Sequence, residues 1–131
     1  MKLSPILPIA LLPLAVACAP TDTDQPRDIR APAATVVGEP ISCLSTSTIR
    51  STKVWDDSTI DFETVNGRTY RNTLDVPCPQ LGFEERFAYQ TSIGRLCSAD
   101  IITVLNGGGG SVGRGASCGL SQFVPVEVAK N

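Results

Sequence analysis

Apolar and polar side chains alternate most regularly over residues 59–64, which read Thr-Ile-Asp-Phe-Glu-Thr. This alternation is typical of a β-strand with one buried face. The Asn66-Gly67 pair that follows is a strong signal for a hairpin turn, and residues 68–74 then predict the returning strand. The pattern therefore predicts an antiparallel hairpin near the middle of the chain.

The side chains that would face each other decide the register of this hairpin. A loop at 65–67 places Phe62 opposite Tyr70. The same register places Asp61 opposite Arg71. A shorter, two-residue loop would mix polar and apolar side chains on both faces. We therefore expect the three-residue loop, which gives one apolar face and one face of paired charges.

Further strands are expected on both sides of the hairpin. Residues 52–55 run into a turn-forming cluster at 56–58, which sets Val54 opposite Ile60 and completes a three-stranded meander. Pro125 predicts that the last strand of the chain lies at a sheet edge, because proline has no amide donor. The strands predicted after the meander are residues 87–91, 101–105 and 122–128.

No stretch shows the 3.6-residue period of a substantial helix, although residues 43–49 and 79–86 are each compatible with a single turn. Short strands separated by turn signals predict a mainly β domain. We expect a small antiparallel barrel or a curved meander sheet of about six strands, held together by disulfide bonds.

The amino terminus has the pattern of an export signal. A positively charged start precedes an apolar stretch of about 14 residues, 3–16, which contains three prolines. A membrane-spanning helix needs about 20 residues, and each proline would remove a backbone donor from such a helix. Residues 1–17 are therefore predicted to be a signal peptide.

Cys18 directly follows this leader and has two interpretations. The A-x-A sequence at 15–17 fits ordinary signal peptidase, which would leave a free amino-terminal thiol on a periplasmic or secreted protein. Residues 14–18 also resemble the lipobox of bacterial lipoproteins, whose cysteine carries a diacylglycerol. We favour lipidation of Cys18, which would anchor the protein to a membrane. Ala19 lacks the aspartate that often retains lipoproteins in the inner membrane, so we expect the periplasmic face of the outer membrane.

Residues 18–40 differ sharply in composition from the rest of the chain. Four prolines punctuate a stretch of mostly Thr, Ala, Asp and Arg, and no apolar period is visible. Such a segment buries too little apolar surface to offset its ordering entropy. We expect a lipidated amino terminus and a flexible tether here, followed by a single β domain over residues 41–131.

This domain contains the four remaining cysteines, Cys43, Cys78, Cys97 and Cys118. A domain of about 91 residues is marginally stable without help, and export would place it where disulfides persist. We therefore expect two disulfides. Four cysteines allow three pairings. We favour Cys43–Cys118 with Cys78–Cys97, a nested arrangement.

The chain has no histidine, which excludes Ser-His and Cys-His catalytic pairs and histidine-ligated metals. The cysteine gaps do not include the C-x₂-C of a zinc site. Residues 106–115 contain a G-x-G-x-x-G sequence, but no helix pattern follows it as a dinucleotide site requires. We predict a mobile glycine loop between two strands, and we expect no metal and no other cofactor.

The net charge of −2 gives no electrostatic footprint for nucleic acid. The nearest approach to a catalytic set is Asp56 and Asp57 with Arg71, which could serve a carboxylate-based hydrolase or lyase. Roles as turn-forming residues and as a strand partner account for the same residues without catalysis. We therefore assign no catalytic residue from the sequence.

Six segments carry a further pattern, and together they extend over most of residues 43–125. They are residues 56–60, 70–74, 78–83, 86–89, 95–102 and 118–123. These segments, with their cysteine spacing, resemble an uncharacterised family of small exported proteins from Gram-negative bacteria, a domain of unknown function. The resemblance implies export and supports the domain boundary, and it implies no catalytic residue.

Three functions follow as hypotheses. The first is a non-catalytic envelope lipoprotein, a binding or structural module whose partner is an envelope protein or a cell-wall component. The second is a small periplasmic hydrolase or lyase. The third is an inhibitor of a periplasmic enzyme, which would expose a rigid loop near a disulfide, such as residues 76–82. We favour the first, held to the membrane by the lipid on Cys18.

Overall fold

The computed structural model describes residues 30–91 and 93–130, and this part of the chain is mainly β. The strands are β1 Ala34–Val36, β2 Cys43–Ser45, β3 Ile49–Val54, β4 Thr59–Thr64, β5 Thr69–Thr73, β6 Phe87–Tyr89, β7 Arg95–Cys97, β8 Ile101–Gly108, β9 Ser111–Gly119 and β10 Phe123–Val128. A helical turn, α1 Leu81–Glu84, and a 3-10 turn, Thr46–Thr48, fall within the two windows predicted for single turns. No helix of the described ranges is long and apolar enough to cross a membrane.

The strands form three antiparallel sheets, with the orders β1-β10-β5-β4-β3, β6-β8-β9 and β2-β7. The mainly β class is confirmed, but the sheets do not close into a barrel. The largest sheet has only five strands, and β1 and β3 remain as its two edges. Strands β1, β2, β7 and β9 were not predicted. Three of these are too short, and β9 too rich in glycine, to show an alternating pattern.

The central meander has the predicted register. Phe62 lies opposite Tyr70 across β4 and β5. Asp61 lies opposite Arg71 in the same pair of strands. Gly67 closes the intervening loop with a φ of 83°, a left-handed conformation that glycine adopts without steric cost. The predicted register, which pairs apolar side chains on one face and opposite charges on the other, is therefore confirmed.

The hydrophobic core lies where the five-stranded and three-stranded sheets meet. Val54 and Ile60 face each other across β3 and β4, as predicted, and both are buried. Phe62 packs edge-on against Phe123 of β10, with ring centroids 5.3 Å apart. It also packs against Phe87 of β6 at 6.3 Å. These aromatic contacts join the two sheets, because Phe87 belongs to the three-stranded one.

Strand β10 contains Pro125 and lies between β1 and β5, so the prediction of an edge strand is wrong. The carbonyl of Pro125 accepts a hydrogen bond from the amide of Val37 at 2.9 Å. The nitrogen of Pro125, which has no hydrogen to donate, faces the same side as this carbonyl, because the N–H and C=O of a strand residue point the same way. The ladder of β1 ends just before the proline, at Val36 opposite Val126. Pro125 therefore limits the length of β1 and leaves the pairing with β5 intact.

The prediction of a flexible tether is wrong for residues 30–40, which lie against the domain. Strand β1 pairs with β10, and the amide of Ala129 donates to the carbonyl of Ala33 at 3.0 Å. Hydrogen bonds to a neighbouring strand offset the ordering entropy of this segment, for which its composition buries too little apolar surface. The rest of the predicted tether, the signal peptide and Cys18 lie outside the described residues.

The glycine-rich stretch 106–115 forms paired strands, so the prediction of a mobile loop there is wrong. β8 extends to Gly108, and β9 begins at Ser111. The turn between them consists of Gly109 and Gly110, with φ values of 67° and 82°. A two-residue hairpin turn of type I′ needs this left-handed conformation at both positions. The glycines thus favour a tight hairpin, whose ladder needs backbone groups and no particular side chains.

All four cysteines of the domain form disulfides, as predicted, but the favoured pairing is wrong. The bonds are Cys43–Cys97 and Cys78–Cys118, with Cα atoms 4.0 Å and 5.8 Å apart respectively. Strand β2 pairs with β7 in a register that sets Cys43 directly opposite Cys97. The pairing follows from which strands are neighbours in space, which chain order does not reveal.

Candidate functional site

Arg71, one of the candidate catalytic residues, forms a buried ion pair with Asp61. Its Nε lies 2.7 Å from Asp61 Oδ1 and its Nη2 lies 2.9 Å from Oδ2, so the pair is bidentate. Arg71 Nη1 also donates to the carbonyl of Pro32 at 2.8 Å. Trp55 Nε1 donates to Asp61 Oδ2 at 2.8 Å. The guanidinium therefore joins the meander to the segment that precedes β1.

The two other candidate residues, Asp56 and Asp57, form the turn between β3 and β4. Asp56 is buried and accepts hydrogen bonds from the amides of Ser58 at 2.8 Å and Arg30 at 3.2 Å. Asp57 Oδ1 accepts from the amide of Gly82 at 2.7 Å. Both carboxylates thus position backbone segments that are distant in sequence.

The structure does not bring the three candidate residues together around a cavity. Arg71 is paired with Asp61, and the two carboxylates of the turn are bound to backbone amides. Within residues 30–91 and 93–130, no group of three or more Cys, Asp or Glu side chains is placed to hold a metal ion.

A different site lies on the outward face of the three-stranded sheet. Ile102 and Val104 of β8 are fully buried, so the alternate residues Ile101, Thr103 and Leu105 face the other way. A groove of about 420 Å³ lies over these three residues. The neighbouring strands and turns contribute Ala88, Tyr89, Gln90, Asp100 and Arg114 to its walls.

The groove contains one cation, Arg114, and one carboxylate, Asp100, which are not paired with each other. Arg114 lies opposite Leu105 and forms no salt bridge among the described residues. The acidic residue of the groove, Asp100, uses its carboxylate to accept a hydrogen bond from the amide of Cys97 at 2.6 Å. The guanidinium of Arg114 is therefore available to a ligand, since arginine suits planar anions such as carboxylates.

A second, more open depression adjoins the groove, because Tyr89 and Gln90 line both. Thr46 and Gly94 lie on its far side. Together the two depressions offer an aromatic ring, an amide, hydroxyl groups and a cation beside an apolar floor. A few polar groups above an apolar surface are typical of ligand sites, and two adjoining depressions suit an extended ligand with an anionic group.

Sequence reasoning missed this groove, although two of its signals are visible in the sequence. Residues 101–105 form an apolar run interrupted only by Thr103, and Arg114 is an isolated cation in a glycine-rich stretch. A run that is apolar on both faces does not say which face of the strand is buried. That depends on the residues of the five-stranded sheet, such as Phe62, which pack against one face of the three-stranded sheet.

The fold and its groove define a class: a small mainly β domain with two disulfides and an open groove on one sheet. The chain belongs to DUF6491, a family of unknown function, whose sequence profile matches residues 1–131. No curated protein and no solved structure matches the chain. The predicted resemblance to a family of unknown function is thus confirmed, whereas export and lipid attachment stay predictions.

Proposed function

We propose that this protein is an exported, lipid-anchored binding module of the bacterial envelope, which binds an extended ligand with an anionic group. The observation that carries the proposal is the groove of the three-stranded sheet, where Arg114 has no acidic partner among the described residues. The ligand belongs to another envelope component, either a protein or the cell wall. The signal peptide at 1–17 directs export, and the lipid on Cys18 anchors the protein to the membrane.

The two disulfides support export. Cys43–Cys97 joins two short strands, and Cys78–Cys118 joins the end of the meander to β9. Such bonds persist in oxidising compartments such as the periplasm and are rare in the cytosol. A domain of this size gains stability from them that its small core does not supply.

The ordered strap at residues 30–40 shortens the tether. Arg30 is bound to the domain through Asp56 and Gly82. If Cys18 is the lipidated amino terminus, the tether between the lipid and the domain consists of 12 residues, 18–29. A chain of that length spans at most about 43 Å. The domain would therefore work close to the periplasmic face of the outer membrane.

Binding is favoured over a carboxylate-based hydrolase or lyase by the surroundings of the candidate residues. Asp56, Asp57 and Arg71 each hold backbone groups of distant segments. A catalytic carboxylate pair needs two groups that flank one substrate bond. The groove, in contrast, has a cation and hydrogen-bonding groups above an apolar floor, which suits recognition.

The anchor is tested by the mass of the mature protein purified from its bacterial host. We expect wild-type protein to begin at Cys18 and to carry the mass of its acyl chains. Cys18→Ser should lose this mass and leave the membrane fraction. An unmodified amino terminus in the wild-type protein would refute lipid attachment.

The groove is tested with purified sacculi and solubilised envelope proteins as separate probes. We expect the wild-type protein to bind one of them and Arg114→Glu to weaken that binding at least about tenfold, because a like charge then faces the anion. The matched control is Arg50→Glu, an equal change of charge on an exposed side chain of β3. Equal binding by both variants would exclude the groove.

A further inference from the structure

Phe83 is the most exposed large apolar side chain of the described residues, with 80% of its surface accessible. It belongs to α1, whose first residue, Leu81, is completely buried. The short turn therefore has opposite faces, one anchored in the core and one presenting a phenylalanine to solvent. An exposed side chain of this size is a candidate contact with another molecule.

The turn that carries Phe83 is held rigidly by contacts with three other parts of the chain. The amide of Gly82 donates to Asp57 Oδ1 at 2.7 Å, and its carbonyl accepts from Arg30 Nη2 at 2.7 Å. Glu84 Oε2 accepts from the amide of Gly107 at 3.0 Å. Phe83 is thus presented by a fixed backbone, which lowers the entropy that binding would cost.

Backbone strain marks both ends of the same turn. Gln80 and Glu85 flank α1 with φ values of 69° and 52°. Both are left-handed conformations, which are uncommon for residues other than glycine. They are also the only non-glycine residues with positive φ within residues 30–91 and 93–130. Such strain persists where the surroundings enforce it and often accompanies functional segments.

A second exposed apolar residue, Val76, lies in a loop that also contacts Asp57. The amide of Cys78 donates to the carbonyl of Asp57 at 2.7 Å, while the carboxylate of the same residue binds Gly82. The loop with Val76, which is 74% exposed, and the turn with Phe83 are therefore neighbours. We call these two residues the apolar anchor.

The apolar anchor lies among exposed carboxylates. Asp75 precedes Val76 in its loop, Glu85 follows α1, and Asp57 lies in the β3–β4 turn that is bonded to both segments; all three residues are exposed. None of the three forms a salt bridge among the described residues. Arg30 and Arg86 also border α1, but the carboxylates outnumber them, so the surface combines a protruding phenylalanine with a rim of net negative charge.

We propose that the apolar anchor is a docking site for a partner protein whose apolar pocket is bordered by lysine or arginine. Phe83 enters the pocket, and the carboxylates of the rim pair with its basic border. The charge of the rim opposes an anionic membrane surface. It equally opposes a symmetric contact between two copies of this chain, since that would bring like charges together. This inference does not depend on the groove of the three-stranded sheet.

The test is a photoreactive amino acid at position 83 of the full chain, introduced in the bacterium that produces it. The matched control position is Val65, which is also exposed but lies at the far end of β4 from Asp57. We expect an adduct with one protein from position 83 and none with that protein from position 65. An adduct with lipid or with a second copy of this chain, or the lack of a specific adduct, would overturn the proposal.

The captured protein is then purified and its affinity for the full chain is measured. We expect Phe83→Ala to weaken binding at least about tenfold, whereas Val65→Ala changes it by less than about twofold. Asp75→Asn with Glu85→Gln should slow association several-fold at low salt, and the difference should vanish at high salt. Unchanged affinity in Phe83→Ala, or association rates that ignore the two carboxylates, would refute the inference. Failure of the groove variant alone would leave it intact.

Discussion

The side chain of Asn72 exchanges two hydrogen bonds with the backbone of Ser121. Its Nδ2 donates to the carbonyl at 2.6 Å, and its Oδ1 accepts from the amide at 2.9 Å. Asn72 is completely buried in β5, and Ser121 lies in the connection that leads into β10. This pair fixes how the last strand approaches the meander.

We expect Asn72→Ala to lower the free energy of unfolding by about 1–3 kcal/mol, because two partly buried backbone groups of Ser121 lose their partners. Urea denaturation measures the change. Asn106→Ala is the control, since the Oδ1 of Asn106 is buried without a hydrogen-bond partner; it should cost less than about 1 kcal/mol. Equal costs for the two variants would contradict the role given to Asn72.

Asp61 and Arg71 form a buried ion pair, so removing one partner alone should lower the free energy of unfolding more than removing both. The exposed side-chain fractions are 7% and 14%. Asp61→Ala should destabilise the domain by about 3–5 kcal/mol, because it leaves a buried guanidinium unpaired. The further change Arg71→Ala should recover part of this loss. Fluorescence of Trp55, which donates to Asp61, reports the unfolding.

An exposed pair on the same sheet provides the control for that cycle. Arg50 and Glu63 are 3.8 Å apart and their side chains are 65% and 44% exposed. Glu63→Ala should change the free energy of unfolding by less than about 1 kcal/mol. If Asp61→Ala and Glu63→Ala lowered the free energy of unfolding by similar amounts, burial would not determine the strength of the Asp61–Arg71 pair.

The disulfide pairing is open to direct chemical mapping. Trypsin cleaves after lysine and arginine, and cleavage after Arg50, Arg71, Arg86, Arg95 and Arg114 places each cysteine in a separate peptide. Without reductant, we expect the peptides of Cys43 and Cys97 to be linked, and likewise those of Cys78 and Cys118. Any other linkage among these four cysteines, or labelling of any of the four as a free thiol, would contradict the pairing.

Gly82 has no room for a side chain. A Cβ atom there would lie 2.6 Å from Arg30 Nη2 and 2.9 Å from the backbone of Asp56. We expect Gly82→Ala to cost about 1–3 kcal/mol from overpacking and to increase amide exchange in β1. Gly113→Ala, where nothing lies within 4 Å of the added atom, should leave β1 unchanged. Equal exchange in both variants would show that the strap is not held through Gly82.

The meander shows what a local pattern can establish. Alternating residues identified β4, and Asn66-Gly67 marked the turn after it. The pairing of Phe62 with Tyr70 then fixed the register, because a shift of one residue would have exposed the apolar face. The residues that pair in this hairpin are close in sequence, so one stretch of the chain was enough to predict its strands, turn and register.

Other elements escaped prediction because their partners are distant in sequence. β1 is three residues long and becomes a strand by pairing with β10 at the other end of the domain. Cys43 bonds to Cys97 because β2 and β7 are neighbours. The groove over Thr103 exists because the opposite face of β8 is covered by the core.

The sequence by itself determined the mainly β class, the register of the central meander, the four bonded cysteines and the absence of histidine chemistry. Periodicity, turn residues and composition are local properties, so they can be seen in the chain without its fold. Only the tertiary structure decided the disulfide pairing, the ordered strap at residues 30–40, the interior place of Pro125 and the groove. Each of these depends on contacts between segments that are far apart in sequence, and such contacts form only when the sheets pack around a common core.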